Sequence, residues 1–151
     1  QVKQGWYSGN QYVTSTGSGA SQFGLIYHRV YGDLVSVDLT PLSSSSVIIV
    51  QGCSGGSNSN QSFHSTGAFG VVVVVNNGTS NNIDNTDYQY YPITNPFGSG
   101  TYLPNTMVQG RWANSGTSTL NFKLKGYSYS ENNNQNRVQF RHAHLWLMEV
   151  V

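Results

Sequence analysis

Charge is what this 151-residue chain has least of. Asp, Glu, Lys and Arg make up 9% of it, against the roughly 25% usual in soluble domains. Solubility therefore rests on Ser, Thr, Asn, Gln and Gly, which crowd every break between apolar segments. The net charge of +1 leaves no basic stripe: Lys123 and Lys125 share a strand face, while Arg111, Arg137 and Arg141 are scattered. Nucleic acid is excluded as a partner on that ground. Cys53 is the single cysteine, which rules out an intrachain disulfide and any zinc-ribbon spacing. Membrane insertion is not expected either, because no apolar run approaches the roughly 20 residues of a spanning helix.

Helical periodicity is missing as well. Every window of about a dozen residues meets Gly, Pro or a Ser/Asn cluster. Nucleophile motifs of the Gly-x-Ser-x-Gly kind are absent, and the Gly-rich pieces do not lead into helices that would cradle phosphate. The carboxylates number six, and none forms an evident catalytic pair of the glycosidase kind. Asp33 and Asp38 have odd spacing, which sends them to opposite faces of a strand, and Asp84 and Asp87 fall in a loop. These absences predict a protein that is not an enzyme and needs no cofactor.

What is there is β-structure. Aromatic residues are 13% of the chain, with Tyr 10, and β-branched residues dominate the apolar segments. Strands are predicted at Tyr12–Thr16, Gly24–Val30, Leu34–Thr40, Val47–Gln51, Ala68–Val75, Thr106–Ala113, Thr119–Tyr129 and Arg137–Val150. Pro41-Leu-Ser-Ser-Ser-Ser46 separates two of them. Asn76-Asn77-Gly78-Thr79 signals a hairpin, since Asn-Gly accepts the positive φ of a type I′ turn. About eight strands at this spacing predict one all-β domain over 1–151, with residues 1–11 as a lead-in. The architecture expected is an antiparallel β-sandwich of jelly-roll type. Val71–Val75 lacks polar alternation, so both of its faces should be buried, by loops or by a neighbouring copy.

The last strand carries the clearest functional signal. Alternation places Val138, Phe140, His142, His144, Trp146, Met148 and Val150 on one side, and Gln139, Arg141, Ala143, Leu145, Leu147 and Glu149 on the other. One face can cover the domain's own core. The second, with Phe140, His142, His144, Trp146 and Met148, predicts an oligomer seam. His142 and His144 project about 7 Å apart on a strand. Grouped around a threefold axis they would offer an imidazole set suited to a metal such as iron or nickel; otherwise they bond within the seam. The long loop Thr79–Tyr102 supplies a candidate ligand surface in Asp87, Tyr88, Tyr90, Tyr91 and Phe97, because Tyr rings give rigid area that stacks on sugars.

Several segments resemble the ends of phage and phage-like tail fibres. They are Leu34-Val-Ser-Val-Asp-Leu-Thr-Pro-Leu-Ser-Ser-Ser-Ser-Val-Ile-Ile-Val50, Thr101-Tyr-Leu-Pro104, Gln109-Gly-Arg-Trp112 and Arg141-His-Ala-His-Leu-Trp146. The resemblance implies a trimeric β-sandwich head on a virion, attaching to a host-surface glycan or protein and contacting other virion proteins. It also implies that His142 and His144 match the iron-binding His-x-His of some fibres. Two rival functions are a purely structural virion component and a secreted lectin or carbohydrate-binding module, the latter with calcium at Asp84 and Asp87.

Overall fold

The computed structural model describes residues 1–16, 21–22, 25–58, 67–76, 80–82, 91–93, 102–131 and 135–151. Among them there is no helix and there are ten strands. These are β1 (Val2–Thr16), β2 (Ser21–Gln22), β3 (Leu25–Leu39), β4 (Val47–Asn58), β5 (Gly67–Asn76), β6 (Ser80–Asn82), β7 (Tyr91–Ile93), β8 (Tyr102–Ala113), β9 (Leu120–Glu131) and β10 (Gln135–Val150). One sheet runs β1-β10-β4-β8; the other runs β2-β3-β9-β5-β6, with β7 paired to β5. The long strands alternate between the two sheets as the chain proceeds, and every pairing is antiparallel. That is the double Greek-key order of a jelly roll, as the strand spacing predicts.

Alternation in the long strands builds the interior. Leu39, Ile48, Val50, Val71, Val73, Val75, Val108, Phe122, Leu124, Leu145 and Leu147 are all sealed from solvent between the sheets. Where backbones must approach closely, glycine appears. A Cβ on Gly126 would lie 2.7–2.8 Å from the ring carbons of Phe140, and one on Gly52 would lie 2.5 Å from Leu124 Cδ1. Gly126 thus leaves the slot that the Phe140 ring occupies across the sandwich.

Both faces of β5 are buried, as expected. Val71, Val73 and Val75 join the core, while Val72 and Val74 on the other face are 1% and 7% exposed. A single chain covers them, so this run does not itself call for a neighbouring copy. β5 and β6 pair across 77–79 with Asn76 opposite Ser80, in keeping with the hairpin signal; the turn itself lies outside the described residues.

Elsewhere the strands outrun their sequence signals. Residues 2–11, read as lead-in, are the first part of β1 and pair along β10. The two predicted strands on either side of Gly32-Asp33 are one strand, β3, with a register shift between Asp33 and Val35. That shift inserts one extra residue, so Leu34 and Val35 are both buried while Asp33, Ser36 and Asp38 are exposed. Asp33 and Asp38 therefore face the same way, which corrects the expectation from simple alternation. On this outer face Asp33 pairs with Lys123 at 2.7 Å and Lys125 at 3.2 Å. Partial burial works to raise the Asp33 carboxyl, but the two ammonium groups outweigh it and hold it below the ordinary value. Asn121 Nδ2 donates to Asp38 Oδ1 at 2.6 Å and to Ser36 Oγ at 2.8 Å.

Glu149 is the one carboxylate of the four-stranded sheet, and it turns into the interior. Its oxygens accept from the Gln1 amide at 2.8 Å and the Leu42 N–H at 2.8 Å. The Gln1 amide also donates to Thr40 O at 2.6 Å, so this anion ties β10 to the 40–46 turn. Burial pushes the carboxyl up, but hydrogen bonds from Ser46, Gln1 and the backbone of Leu42 and Ser43 prevail and hold it below the ordinary glutamate value. The anion's bonds therefore stabilise the fold fully above that value and are lost as pH falls through the lower folded pKa. Glu149→Gln is expected to cost about 1–3 kcal/mol at neutral pH. Urea midpoints measured from pH 6 down to pH 3 should show the gap between wild type and variant closing as the pH falls. A second expectation concerns the slot: Gly126→Ala should cost about 1–3 kcal/mol by overpacking. Combining it with Phe140→Leu should cost less than the two single changes added, since they share one contact.

Candidate functional site on the four-stranded sheet

The site begins with a bulge in β10. Between Arg141 and His144 two residues of β10 oppose one of β4, and the β1 pairing shifts between Tyr7 and Asn10 at the same level. His142 carries it with φ of 52°, a left-handed conformation uncommon for any residue with a side chain, although His adopts it more readily than most. The extra residue inverts the alternation. Phe140, expected at the seam, points inward before the bulge and is 1% exposed. Beyond it Ala143, Leu145 and Leu147 turn inward, and His144, Trp146 and Met148 turn outward. The seam expectation is thus corrected for Phe140, which belongs to the core.

Register then lays out the outward face in rows. Trp6, His144, Cys53 and Met107 form one row, and Gln4, Trp146, Gln51 and Gln109 the next. Val2, Met148, Ile49 and Arg111 follow, then Val150, Val47 and Ala113. Trp6 is 74% exposed, Met107 50% and Trp146 43%. The face has no carboxylate, and its charged groups Arg111 and Arg141 stand apart from the aromatic rows. Arg141 is held by Gln139, whose Oε1 accepts from it at 2.6 and 3.2 Å.

Two adjoining hollows open here, each of about 380 Å³. The first is lined by Gln4, Trp6, Tyr7, His142, Ala143 and His144. The second is lined by Gln4, Gln51, Cys53, His144 and Trp146. Gln4 and His144 stand between them and serve both. No Asp, Glu, Lys or Arg lines either hollow. The side chains of Gln4, His142 and His144 make no hydrogen bond to another described residue, and Gln51 Nε2 rests on the weak acceptor Met107 Sδ at 3.2 Å. The floor is therefore built, neutral and rich in uncommitted donors and acceptors.

The predicted site residues fare unequally. His142, His144, Trp146 and Met148 share one face with Cys53, a free, half-buried thiol. No group of three or more His, Cys, Asp or Glu placed to hold a metal occurs among the described residues. Asp84, Asp87, Tyr88, Tyr90 and Phe97 lie outside the described residues. Tyr91 begins β7, opposite Phe69 of β5, on the sheet away from the hollows. Gln4, Trp6 and Gln51 are the residues that the sequence reading missed. For Gln4 and Trp6 the available signal is the alternation Gln4-Gly5-Trp6 within residues 1–11, and for Gln51 it is its place at the end of the predicted strand Val47–Gln51.

Fold and site together define a two-layer, all-β jelly-roll domain with one outer face finished by ion pairs and one aromatic outer face that lacks carboxylates. No protein-family model and no curated protein matches the chain, but solved structures do. A chain in the structure of infectious bursal disease virus, Gt strain, aligns with TM-score 0.55 and 13% identity over 98% of this chain and 33% of that one. The Gx strain of the same virus gives TM-score 0.53 and 10% identity, over 98% and 32%. This chain thus spans about a third of the length of those viral chains. A CBM22-1 xylan-binding domain from Paenibacillus barcinonensis Xyn10C aligns with TM-score 0.38 and 14% identity, over 98% and 87%. At such identities the likeness to the two viral chains is one of fold.

The bulge itself is testable. His142→Gly removes the side chain that makes φ of 52° costly and should raise stability or leave it unchanged. His142→Val should lower it by about 1–3 kcal/mol. Thermal midpoints of the two variants against wild type check this ordering.

Proposed function

We propose that the chain is a head domain of a virion surface that attaches to a neutral host glycan and works as a homotrimer. One observation carries the reading: an outer sheet face with exposed Trp6, Trp146 and Met107, uncommitted amides and no carboxylate. A monomer with nothing to bind gains nothing from leaving such a surface in water. The opposite face, by contrast, is finished with the Asp33, Lys123 and Lys125 ion pairs. Support for the virion setting comes from the resemblance to fibre tips and from a jelly roll shared in fold with chains of infectious bursal disease virus.

The oligomeric part draws on the apolar end of the face, where Met148, Ile49, Val47 and Val150 occupy adjoining rows. Buried between copies, these four side chains carry no polar group to satisfy, and Arg111 closes the Met148 and Ile49 row on the edge strand β8. Weak single glycan contacts would then be multiplied by three sites on one rigid head through effective concentration. A second reading, a structural virion component, is favoured by Met107 and Ile49 together: the apolar surface then meets only other virion proteins.

Native mass measurement and a glycan array on the same preparation separate these. A trimer mass with glycan binding is the expected result. A trimer without any glycan signal supports the structural reading. A monomer at high protein concentration removes the trimeric head.

A further inference from the structure

We propose that the two hollows beside His144 are adjoining subsites for an uncharged oligosaccharide. Trp6 and Trp146 are the stacking platforms, and Gln4, Gln51, His142 and His144 are the hydrogen-bonding groups. The inference rests on the attachment reading above and moves its ligand from the loop 79–102 to the sheet.

Geometry supplies the first argument. Trp6 lies opposite His144, and Trp146 lies opposite Gln4, so the two tryptophans are diagonal neighbours across β1 and β10, their Cα atoms about 7–8 Å apart. Each hollow has one indole as a wall and shares Gln4 and His144 with the other. A repeated unit, one ring per hollow with the link passing over the shared pair, matches that arrangement. The volume of about 380 Å³ for each hollow falls at the small end of ligand sites, which span about 300–1,000 Å³.

Chemistry selects the class. A sugar presents an apolar C–H face, which an indole covers, and a rim of hydroxyls that both donate and accept. Amides and imidazoles answer such a rim; here Gln4, His142 and His144 are uncommitted, and Gln51 makes only the weak contact to Met107 Sδ. Neither hollow contains a fixed charge to recognise a phosphate, a sulfate, a carboxylate or an ammonium group.

A second copy of the chain fits the hollows less well. It would bury Gln4, Gln51, His142 and His144 together, and each amide or imidazole left without a partner would count against association. The apolar rows carrying Met148 and Ile49 suit a protein contact, while the Trp6 and Gln4 rows suit a ligand that brings its own donors.

The test uses the full chain. A glycan array of immobilised neutral and sialylated oligosaccharides first establishes what wild type binds. Lactose, maltose, cellobiose and 3′-sialyllactose are then titrated while tryptophan fluorescence and saturation-transfer NMR are followed. Trp6→Ala and Trp146→Ala should each weaken binding of the neutral sugars at least tenfold, with thermal midpoints near wild type because both rings are exposed. Trp112→Phe, a change on the interior side of β8, should leave affinity unchanged. Neutral sugars bound equally well by wild type and both alanine variants would overturn the placement and leave the attachment reading standing. Absence of any signal on the array would overturn the attachment reading and this inference with it. Preferred binding of 3′-sialyllactose would overturn the uncharged class. Loss of the oligomer in the alanine variants with sugar binding intact would make the hollows part of a protein seam.

Discussion

The single residue inserted into β10 at His142 decides which half of the last strand is core and which is surface. Strand side chains alternate with period two, so one extra residue sends every later side chain to the opposite face. Before the bulge Phe140 fills the slot left by Gly126. After it Leu145 and Leu147 fill the core and His144 and Trp146 are released to the outside. Without the insertion, Trp146 and Phe140 would compete for one face, and Leu145 and Leu147 would be exposed. A costly backbone conformation at His142 is thus held in place by the burial of large side chains on both sides of it.

The same device explains why the two sheets differ in character. In β3 a register shift at Leu34 buries two consecutive apolar residues and sets Asp33 and Asp38 on one outer face. There they are met by Lys123, Lys125 and Asn121. That face is complete as it stands, and ion pairs this exposed add little stability but keep the surface wet. On the other sheet the only carboxylate, Glu149, is spent on the turn at 40–46 and on Gln1. Its removal to the interior is what leaves the aromatic face without negative charge.

Much of this was legible in the sequence and some of it was not. The jelly roll could be read from short β-branched runs separated by turn formers, and the Val71–Val75 run announced a strand buried on both faces. An outward aromatic surface on the last strand was also legible, through Trp146 and the His pair. The bulges were not, because Arg141-His142-Ala143 holds no Gly or Asn to mark a left-handed residue, and Gly32-Asp33 reads equally well as a turn. Trp6 went unrecognised as part of the site for a different reason. Its partner His144 is remote in sequence, and only the β1–β10 register brings them into one row.

That register also accounts for the shape of the face. Large and small side chains alternate in both directions: Trp6 beside His144 and Cys53 in one row, Gln4, Trp146 and Gln51 in the next. A low place must then lie beside each indole, and the two low places must meet where Gln4 and His144 stand. The first of them lies at the bulge, and the small Ala143 forms part of its lining. Flat antiparallel faces with uniform side chains offer ridges for another protein to pack against. A checkerboard of indole and amide instead offers separate cups with polar rims, and the ligand best matched to it is one whose own surface alternates between apolar faces and hydroxyl edges.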